Sequence, residues 1–359
     1  MAFMFNVRAL PRQGRACREG NPMMNRRTLL AAGAGLVAAP SIGRAQQQQR
    51  AYILATATIG GTYYPVGVAL ATLVKLRLQG SRGIDMSAIS SAGSGENIRL
   101  LRENQAQFAI LQGLFGIYAR DGSGPIQQQG PQSNIRSICT LWGNTEHFLQ
   151  RASLAPTGTI ADLAQLRGRR FAIGARNSGT EFSNRFIFAN LGINPDTHFE
   201  LTFQGFGPSA EALLAGQIDG TNPGGGVPVA AVTQVFARSA TDFKLLEFTP
   251  EQARQADGGQ GLYVPRVIPA NSYPNQPRPL NVITQPNFLA VNANVPEADV
   301  YEVTKAIFEN LPFLNGIHAA TREINLQEAL AGIVNPVHPG AARYYAERGV
   351  TIPGRIRPV

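Results

Sequence analysis

The chain reads as an α/β protein with a largely parallel sheet. Two observations carry that reading. Strand-length apolar runs alternate with helix-like segments along most of the 359 residues. Three times, moreover, an apolar run meets a turn of Gly, Ser, Thr or Asn that opens a helix-like segment. The first copy runs Tyr52 to Thr58, Ile59-Gly60-Gly61-Thr62-Tyr63-Tyr64-Pro65, then Val66 to Leu78. The second runs Met86 to Ser90, Ser91-Ala92-Gly93-Ser94-Gly95, then Glu96 to Arg102. The third runs Arg170 to Gly174, Arg176-Asn177-Ser178-Gly179-Thr180, then Glu181 to Leu191. Helix N-termini expose unpaired N–H groups and partial positive charge, and small residues let an anion approach them. Several such turns in one chain predict a small polar or anionic ligand held mostly by backbone and hydroxyl groups. Each turn alone also reads as an ordinary cap.

The elements follow in order. Asn25-Arg26-Arg27-Thr28, the Ala- and Gly-rich run Leu29 to Pro40 and Gly43-Arg44-Ala45 have the basic, apolar and small-residue parts of a secretory signal. The run is short for a membrane span, and Arg26-Arg27 hints at twin-arginine export. Residues 1–45 are therefore set aside as signal and upstream sequence, with Met23 or Met24 a candidate start, and Gln46 to Arg50 is a polar linker. Seven of the chain's 32 basic residues and one of its 23 acidic residues lie in that prefix, so the net charge falls from +9 to +3 on the remaining 314 residues. A charge that small makes no case for nucleic acid. The 314 residues predict about two domains. Cys17 lies in the prefix, leaving Cys139 as a buried small hydrophobe in a chain without disulfides.

After the first two copies, Phe108 to Gln112 is a short buried strand and Gly113 to Ala119 a helix. Asp121 to Asn134 is a surface loop. Ile135 to Leu141 and Glu146 to Ala152 read as two strands, with a domain crossing near Gly143. Thr159 to Leu163 opens a short helix with Thr159 as N-cap. Beyond the third copy come a strand at Phe199 to Phe203, a helix at Pro208 to Ala215 and a strand at Ile218 to Thr221. The flexible turn Asn222-Pro-Gly-Gly-Gly226 leads into a helix from Val227 to Arg238. Lys244 to Phe248 is a strand, and Thr249 to Gln260 is partly helical. The proline-rich stretch Val264 to Asn287 reads as an irregular crossing. Phe288 to Val291 is a strand and Pro296 to Phe313 an amphipathic helix, Pro296 sitting near its first turn. Residues 314–359 read as a helical, loop-rich tail on the outside.

Catalytic patterns are missing. His147, His198, His318 and His338 have no metal-ligand spacing, so neither a metal nor another cofactor is expected. There is no phosphate loop, dinucleotide fingerprint or nucleophile elbow, and Gly93-Ser94-Gly95 lacks the elbow's frame. Ligands of α/β sheets bind beyond strand C-termini, which points to Thr58, Ser91, Gln112 and Ala175-Arg176-Asn177. Tyr63 and Tyr64 are core aromatics or reach the cleft. Glu96, three residues after Gly93, either caps its helix or binds. Arg176 pairs with a ligand carboxylate or is solvated, while Arg99 and Arg185 read as helix-surface charges.

Taken together, these motifs resemble a known family. The carrying residues are Ile59-Gly-Gly-Thr-Tyr-Tyr-Pro-Val-Gly67, Ser94-Gly-Glu-Asn-Ile-Arg-Leu-Leu101, Phe108-Ala-Ile-Leu-Gln112, Thr159-Ile-Ala-Asp-Leu163, Gly168-Arg-Arg-Phe-Ala-Ile-Gly174 and Ser178-Gly-Thr180. Ile268 to Gln276 and Ala298 to Lys305 complete the set. The chain resembles the extracytoplasmic solute-binding proteins of TRAP transporters, specifically the TAXI group. That resemblance implies a two-lobed α/β periplasmic binding protein, type II-like, with a hinge and a cleft. Lobe 1 would hold residues 46–143 and 264–359, and lobe 2 residues 144–263. It implies a monomer that captures a small carboxylate or amino acid, glutamate- or 2-oxoglutarate-like, and delivers it to a membrane permease without catalysis. The implied ligand-binding residues are Gly61, Thr62, Tyr63, Ser94, Glu96, Asn97 and Gln112 from one lobe, with Asn177, Ser178, Gly179, Thr180 and Gly225 or its neighbours from the other. Gly113-Leu114, where an acidic residue is common, and the glycine-rich Asn222 to Gly226 depart from the family pattern. A ligand-sensing module for a membrane receptor, or an exported enzyme on the same fold, are the rival readings.

Overall fold

The computed structural model describes residues 49–239 and 241–359; the signal-like segment lies outside the described residues. The chain forms two sheets, each the centre of one half. The first contains β1 (Arg50–Ala55), β2 (Ile84–Ile89), β3 (Phe108–Gln112), β4 (Ile135–Thr145), β10 (Val264–Ile268) and β11 (Leu280–Asn292). Its order is β10-β11-β3-β1-β2, with β4 also paired to β11. β1 runs parallel to β2 and β3, whereas β11 runs antiparallel to β3, β4 and β10. The second sheet joins β5 (Leu149–Arg151), β6 (Arg170–Ala172), β7 (Glu200–Thr202), β8 (Gly220–Thr221) and β9 (Phe243–Leu245) in the order β7-β6-β8-β5-β9. This is the two-lobed α/β arrangement the resemblance implies.

The alternation predicted from the sequence places the helices. In the first half these are α1 (Tyr63–Val74), α2 (Ser94–Arg102) and α3 (Gly113–Asp121). In the second they are α4 (Gly179–Asn190), α5 (Phe206–Leu214), α6 (Ala230–Ser239) and α7 (Pro250–Asp257). The chain then closes with α8 (Glu297–Glu309) and α9 (Pro339–Glu347) in the first half. α1 continues through a π-helical turn, Lys75–Gln79, before Gly83 ends it in the left-handed region. One apolar cluster packs about the first sheet, including Leu54, Phe108, Trp142, Val291 and Tyr345. The second sheet is covered on both sides, by a cluster around Phe148, Phe171 and Phe188 and another around Leu213, Val232 and Val235. Burial on both faces is what short apolar parallel strands require.

Four expectations need correction. β4 is one strand from Ile135 through Thr145, so the passage to the second sheet falls at Glu146 to Phe148 and not at Gly143. The proline-rich stretch is no irregular crossing: it contains β10 and most of β11. Pro265 is tolerated because β10 is an edge strand, and Pro286 because the β11–β4 register shifts there. The expected helix from Pro296 to Phe313 breaks at Asn310, where the short turn Leu311–Asn315 begins with Pro312. Nor is the tail peripheral. Tyr345 is fully buried, and its hydroxyl donates to the Ile138 carbonyl at 2.7 Å. Cys139 is buried as expected, and burial pushes its thiol up to about 12.

Candidate functional site

The five helices that follow β1, β2, β3, β6 and β7 all begin at one cavity between the halves. Its walls include Thr58, Gly61, Thr62 and Tyr63 at the start of α1, Gly93 and Ser94 at α2, Gln112 at α3, Ser178, Gly179 and Thr180 at α4, and Phe206 at α5. The topology forces this convergence, because each of these strands ends on the side where its helix starts. All lining residues are uncharged. The local field therefore comes from the helix starts, whose first-turn N–H groups lack intrahelical acceptors. The cavity holds about 30 Å³, room for a water or two.

The walls nearly touch because glycines stand where they meet. A Cβ at Gly60 would lie 2.9 Å from the Gly207 nitrogen, and one at Gly61 3.0 Å from the Phe206 ring. A Cβ at Gly179 would lie 2.5 Å from Gln112 Oε1 and 2.9 Å from Ser94 Oγ. At Gly95 it would collide with the Asn177 carbonyl oxygen. Gly93, at φ 122°, turns the chain into α2 in a conformation that excludes other residues. Direct bonds stitch the same seam. The Glu96 N–H donates to the Asn177 carbonyl at 3.1 Å. Ser183 Oγ of α4 donates to Gln112 Oε1 at 3.1 Å. Thr62 Oγ1 donates to the Gly226 carbonyl at 3.0 Å and accepts from its N–H at 3.1 Å.

The residues implied by resemblance separate into three groups. Gly61, Thr62, Tyr63, Ser94, Gln112, Ser178, Gly179 and Thr180 line the cavity. Glu96 and Asn177 instead line a neighbouring groove of about 330 Å³ with Arg99, Arg102 and Arg176. Glu96 works as a brace: its carboxylate accepts the Ala92 N–H at 2.7 Å, as the Glu181 carboxylate accepts the Asn177 N–H at 2.9 Å. Both acids satisfy backbone donors just ahead of their helices. Asn97 is wholly buried away from the cavity, its amide bonded to the carbonyls of Thr56 at 2.8 Å and Ile110 at 2.9 Å, so it ties β1 to β3. Gly225 exchanges backbone bonds of 2.9 Å with Thr145 and lies behind Thr62.

Within the lining set, most hydroxyls are already engaged. Ser178 caps α4 by accepting the Glu181 N–H at 2.9 Å. Ser94 Oγ accepts the Gln112 N–H at 3.1 Å and also bonds the Tyr63 phenol. Tyr63 donates to Asn287 Oδ1 at 2.5 Å, and burial pushes its phenol far up. Thr180 differs: only 8% exposed, it lines the cavity, and its hydroxyl, like that of the half-buried Thr58, has no hydrogen-bond partner among the described residues. Arg176 is exposed and stacks on Phe203, 3.8 Å from the ring centroid. Arg185 pairs with Glu181 and Asp196, and Arg99 with Glu96 and Glu103.

Two lining positions escaped sequence reasoning, Asn144 and Phe206, while Gly224 lines the cavity as the neighbour of the implied Gly225. Phe206 had a legible signal, since Gly205-Phe206-Gly207 after β7 repeats the strand, turn and helix pattern a fourth time. Asn144 had none, because it reaches the cavity through the crossing between sheets. Behind Asn144 and Gly224 lies Glu146, 1% exposed, its Oε2 accepting Asn222 Nδ2 at 2.6 Å and its Oε1 facing Asn144 Nδ2 at 3.5 Å. Burial pushes this carboxyl up to about 7, against bonds from Asn222, Gln285 and Asn144 that favour its ionised form. Burial also drives His147 down to about 4, while its ring holds Thr145 O and Tyr273 OH. Among the described residues no group of three or more His, Cys, Asp or Glu side chains is placed to hold a metal, and no helix is long and apolar enough to cross a membrane.

A sequence profile of the NMT1-like family matches residues 54–349. Among solved structures, the chain is similar to the ligand-binding component of an ABC-type import system from Staphylococcus aureus, with zinc bound, at 13% identity over 77% of this chain and 80% of that one, TM-score 0.44. It is similar to the periplasmic aliphatic sulphonate binding protein SsuA from Escherichia coli at 14% identity over 86% and 96%, TM-score 0.42. It is also similar to PhnD1 from Prochlorococcus marinus in complex with methylphosphonate, at 15% identity over 73% and 84%, TM-score 0.45.

Proposed function

The chain belongs to the NMT1-like family, and we propose that it is an exported solute-binding protein serving a TRAP transporter of the TAXI group. In this reading it captures a small carboxylate or amino acid between its halves and presents it to a membrane permease. One observation carries the ligand class: five helix starts and the unpartnered Thr180 hydroxyl surround a cavity without a charged lining residue. Such a cavity suits an oxyanion held by N–H groups and hydroxyls, each helix start contributing about 0.3–1 kcal/mol and more when desolvated. Ligand oxygens would meet the starts of α2 and α4, and the rest of the solute would lie against Tyr63 and Phe206.

The mechanism is closure by differential affinity. A solute bridging Ser94 on one wall and Thr180 on the other binds the closed form better than the open one, and so shifts the population toward closure. The closed molecule offers the permease a different surface. Support for the TRAP assignment is the ordered motif set from Ile59 to Lys305.

Native mass spectrometry of small molecules carried through purification tests the reading first. A carboxylate that also raises Tm on re-addition is the expected result. If folded, ligand-free protein shows no shift across carboxylates, amino acids, sulfonates and phosphonates, the oxyanion reading is wrong. Uptake into vesicles containing the cognate TRAP permease tests the transport role. Equal uptake with and without the protein would exclude it.

A further inference from the structure

Glu146 stands at the passage between the sheets, where β4 ends and β5 has not begun. Its backbone N–H donates to Ile283 O of β11 at 2.9 Å. Its carboxyl is gripped from both halves, by Asn144 at the end of β4 and by Asn222 just after β8. The cluster extends through the Asn222 amide to Asn184 Oδ1 at 2.8 Å and through Asn144 to Asn287, the acceptor for Tyr63. Gly224 and Asn144 both line the cavity and both lie against the acid: a Cβ at Gly224 would sit 3.1 Å from Glu146 Oε2. None of the carboxylate's bonding partners is a cation.

We propose that Glu146 makes closure of the cleft a proton-linked step: neutral Glu146 favours the walls in contact, and ionised Glu146 favours them parted. The physical reason is hydration. With the walls together, the carboxylate is sealed in a cluster of amides and aromatic rings, which penalises its charge. Parting the walls fills the cleft with water one glycine away from it. The charged form therefore gains more from opening than the neutral form does, and linkage requires closure to take up a fraction of a proton.

The groups facing Glu146 leave it the only titrating member of the cluster near neutral pH. Asn144, Asn222 and Gln285 do not ionise. The phenols of Tyr63 and Tyr263 face it across the cluster and are pushed far up by burial. His147, the next residue, turns its ring to Thr145 O and Tyr273 OH and stays neutral above about pH 4. The inference concerns closure itself and does not depend on which solute the cleft takes.

Spin labels at Gln128→Cys in the first half and Glu200→Cys in the second, both exposed positions, read the separation of the halves without added solute. A Cys17→Ser background leaves only the buried Cys139 as native thiol. Dipolar spectroscopy from pH 5.5 to 8.5 is expected to lengthen the main distance by more than about 2 Å as pH rises through about 7. Glu146→Gln, neutral at every pH, is expected to hold the short distance throughout. Should that variant not fold, Glu146→Met carries the same expectation. A distance in the unsubstituted chain that ignores pH overturns the proposal, as does a pH response that persists when Glu146 is neutral.

Discussion

The hydroxyls at the cavity illustrate how little a residue's identity says before its partners are known. Thr62, Ser94, Ser178 and Thr180 are all hydroxyls in small-residue turns, yet of the four only Thr180 has no partner among the described residues. Thr180→Val keeps the shape and removes the hydroxyl. It is expected to weaken solute binding about 10-fold, the value of a hydrogen bond near 1.4 kcal/mol, while leaving Tm within a degree or two. Ser178→Ala by contrast removes an N-cap and costs about 1 kcal/mol of stability whatever it does to binding. Calorimetry of binding beside thermal melting separates the two, and unchanged affinity in Thr180→Val would remove that hydroxyl from the site. Glu146 sets the second residue-scale expectation. Its pKa is raised from 4.5 to about 7, so its contribution is intact below pH 4.5 and lost as pH rises to about 7, a loss of about 3 kcal/mol. His147 runs the other way: depressed from 6.5 to about 4, it contributes above pH 6.5 and loses that contribution as pH falls to about 4. The two slopes nearly cancel between pH 4.5 and 6.5. Glu146→Gln exposes the histidine slope, so the variant is expected to gain on the parent by about 3 kcal/mol between pH 4.5 and 7 in urea melts. A constant difference across that range would show that Glu146 titrates normally.

Elements were legible where local chemistry decides them, and illegible where distant pairing does. The strand, turn and helix pattern located α1, α2 and α4 to within a few residues, because Gly93 and Ser178 mark helix starts in the sequence itself. β10 and the first part of β11, from Leu280 to Asn287, went unread because proline argues against strand interiors locally. Only the edge position of β10 and the register shift at Pro286 make those prolines harmless, and both belong to the assembled sheet. Asn97 shows the same limit. Its place in a motif suggested ligand contact, whereas its amide joins two strands that the sequence does not reveal as neighbours. The start of α2 carries its own prediction. Gly95→Ala favours the helix by up to about 1 kcal/mol in isolation. The added methyl nevertheless meets the Asn177 carbonyl oxygen across the seam, so the walls cannot close without shifting. The variant is expected to fold with undiminished Tm and to lose binding 10-fold or more by closure alone, about 1.4 kcal/mol or above. Normal affinity in Gly95→Ala would mean that the bound state does not use this contact.

At the scale of the molecule, the connections between the sheets decide what the cavity can do. The long strands β4 and β11 run together from the first sheet to the passage at Glu146, and the Thr145 to Gly225 pair fastens the returning segment beside them. Two halves joined at one side can part at the other, and the bonds that would break are those of the seam: Glu96 to Asn177, Ser183 to Gln112, Thr62 to Gly226. A cavity of about 30 Å³ admits nothing as large as an amino acid until they do. Binding must therefore run through an opened form, and a bound solute must pull the seam together again. Solute at a hundred times its Kd is then expected to stabilise the protein by about 2.7 kcal/mol and to protect the Glu96 and Gly226 amides from hydrogen exchange together. Both amides donate across the seam, although Glu96 lies in the first turn of α2, Gly226 lies in the loop ahead of α6, and they share no partner. Protection of one without the other would indicate a local order change in one half. Protection of both, with the β1 amides unchanged, is the signature of two rigid halves closing on what lies between them.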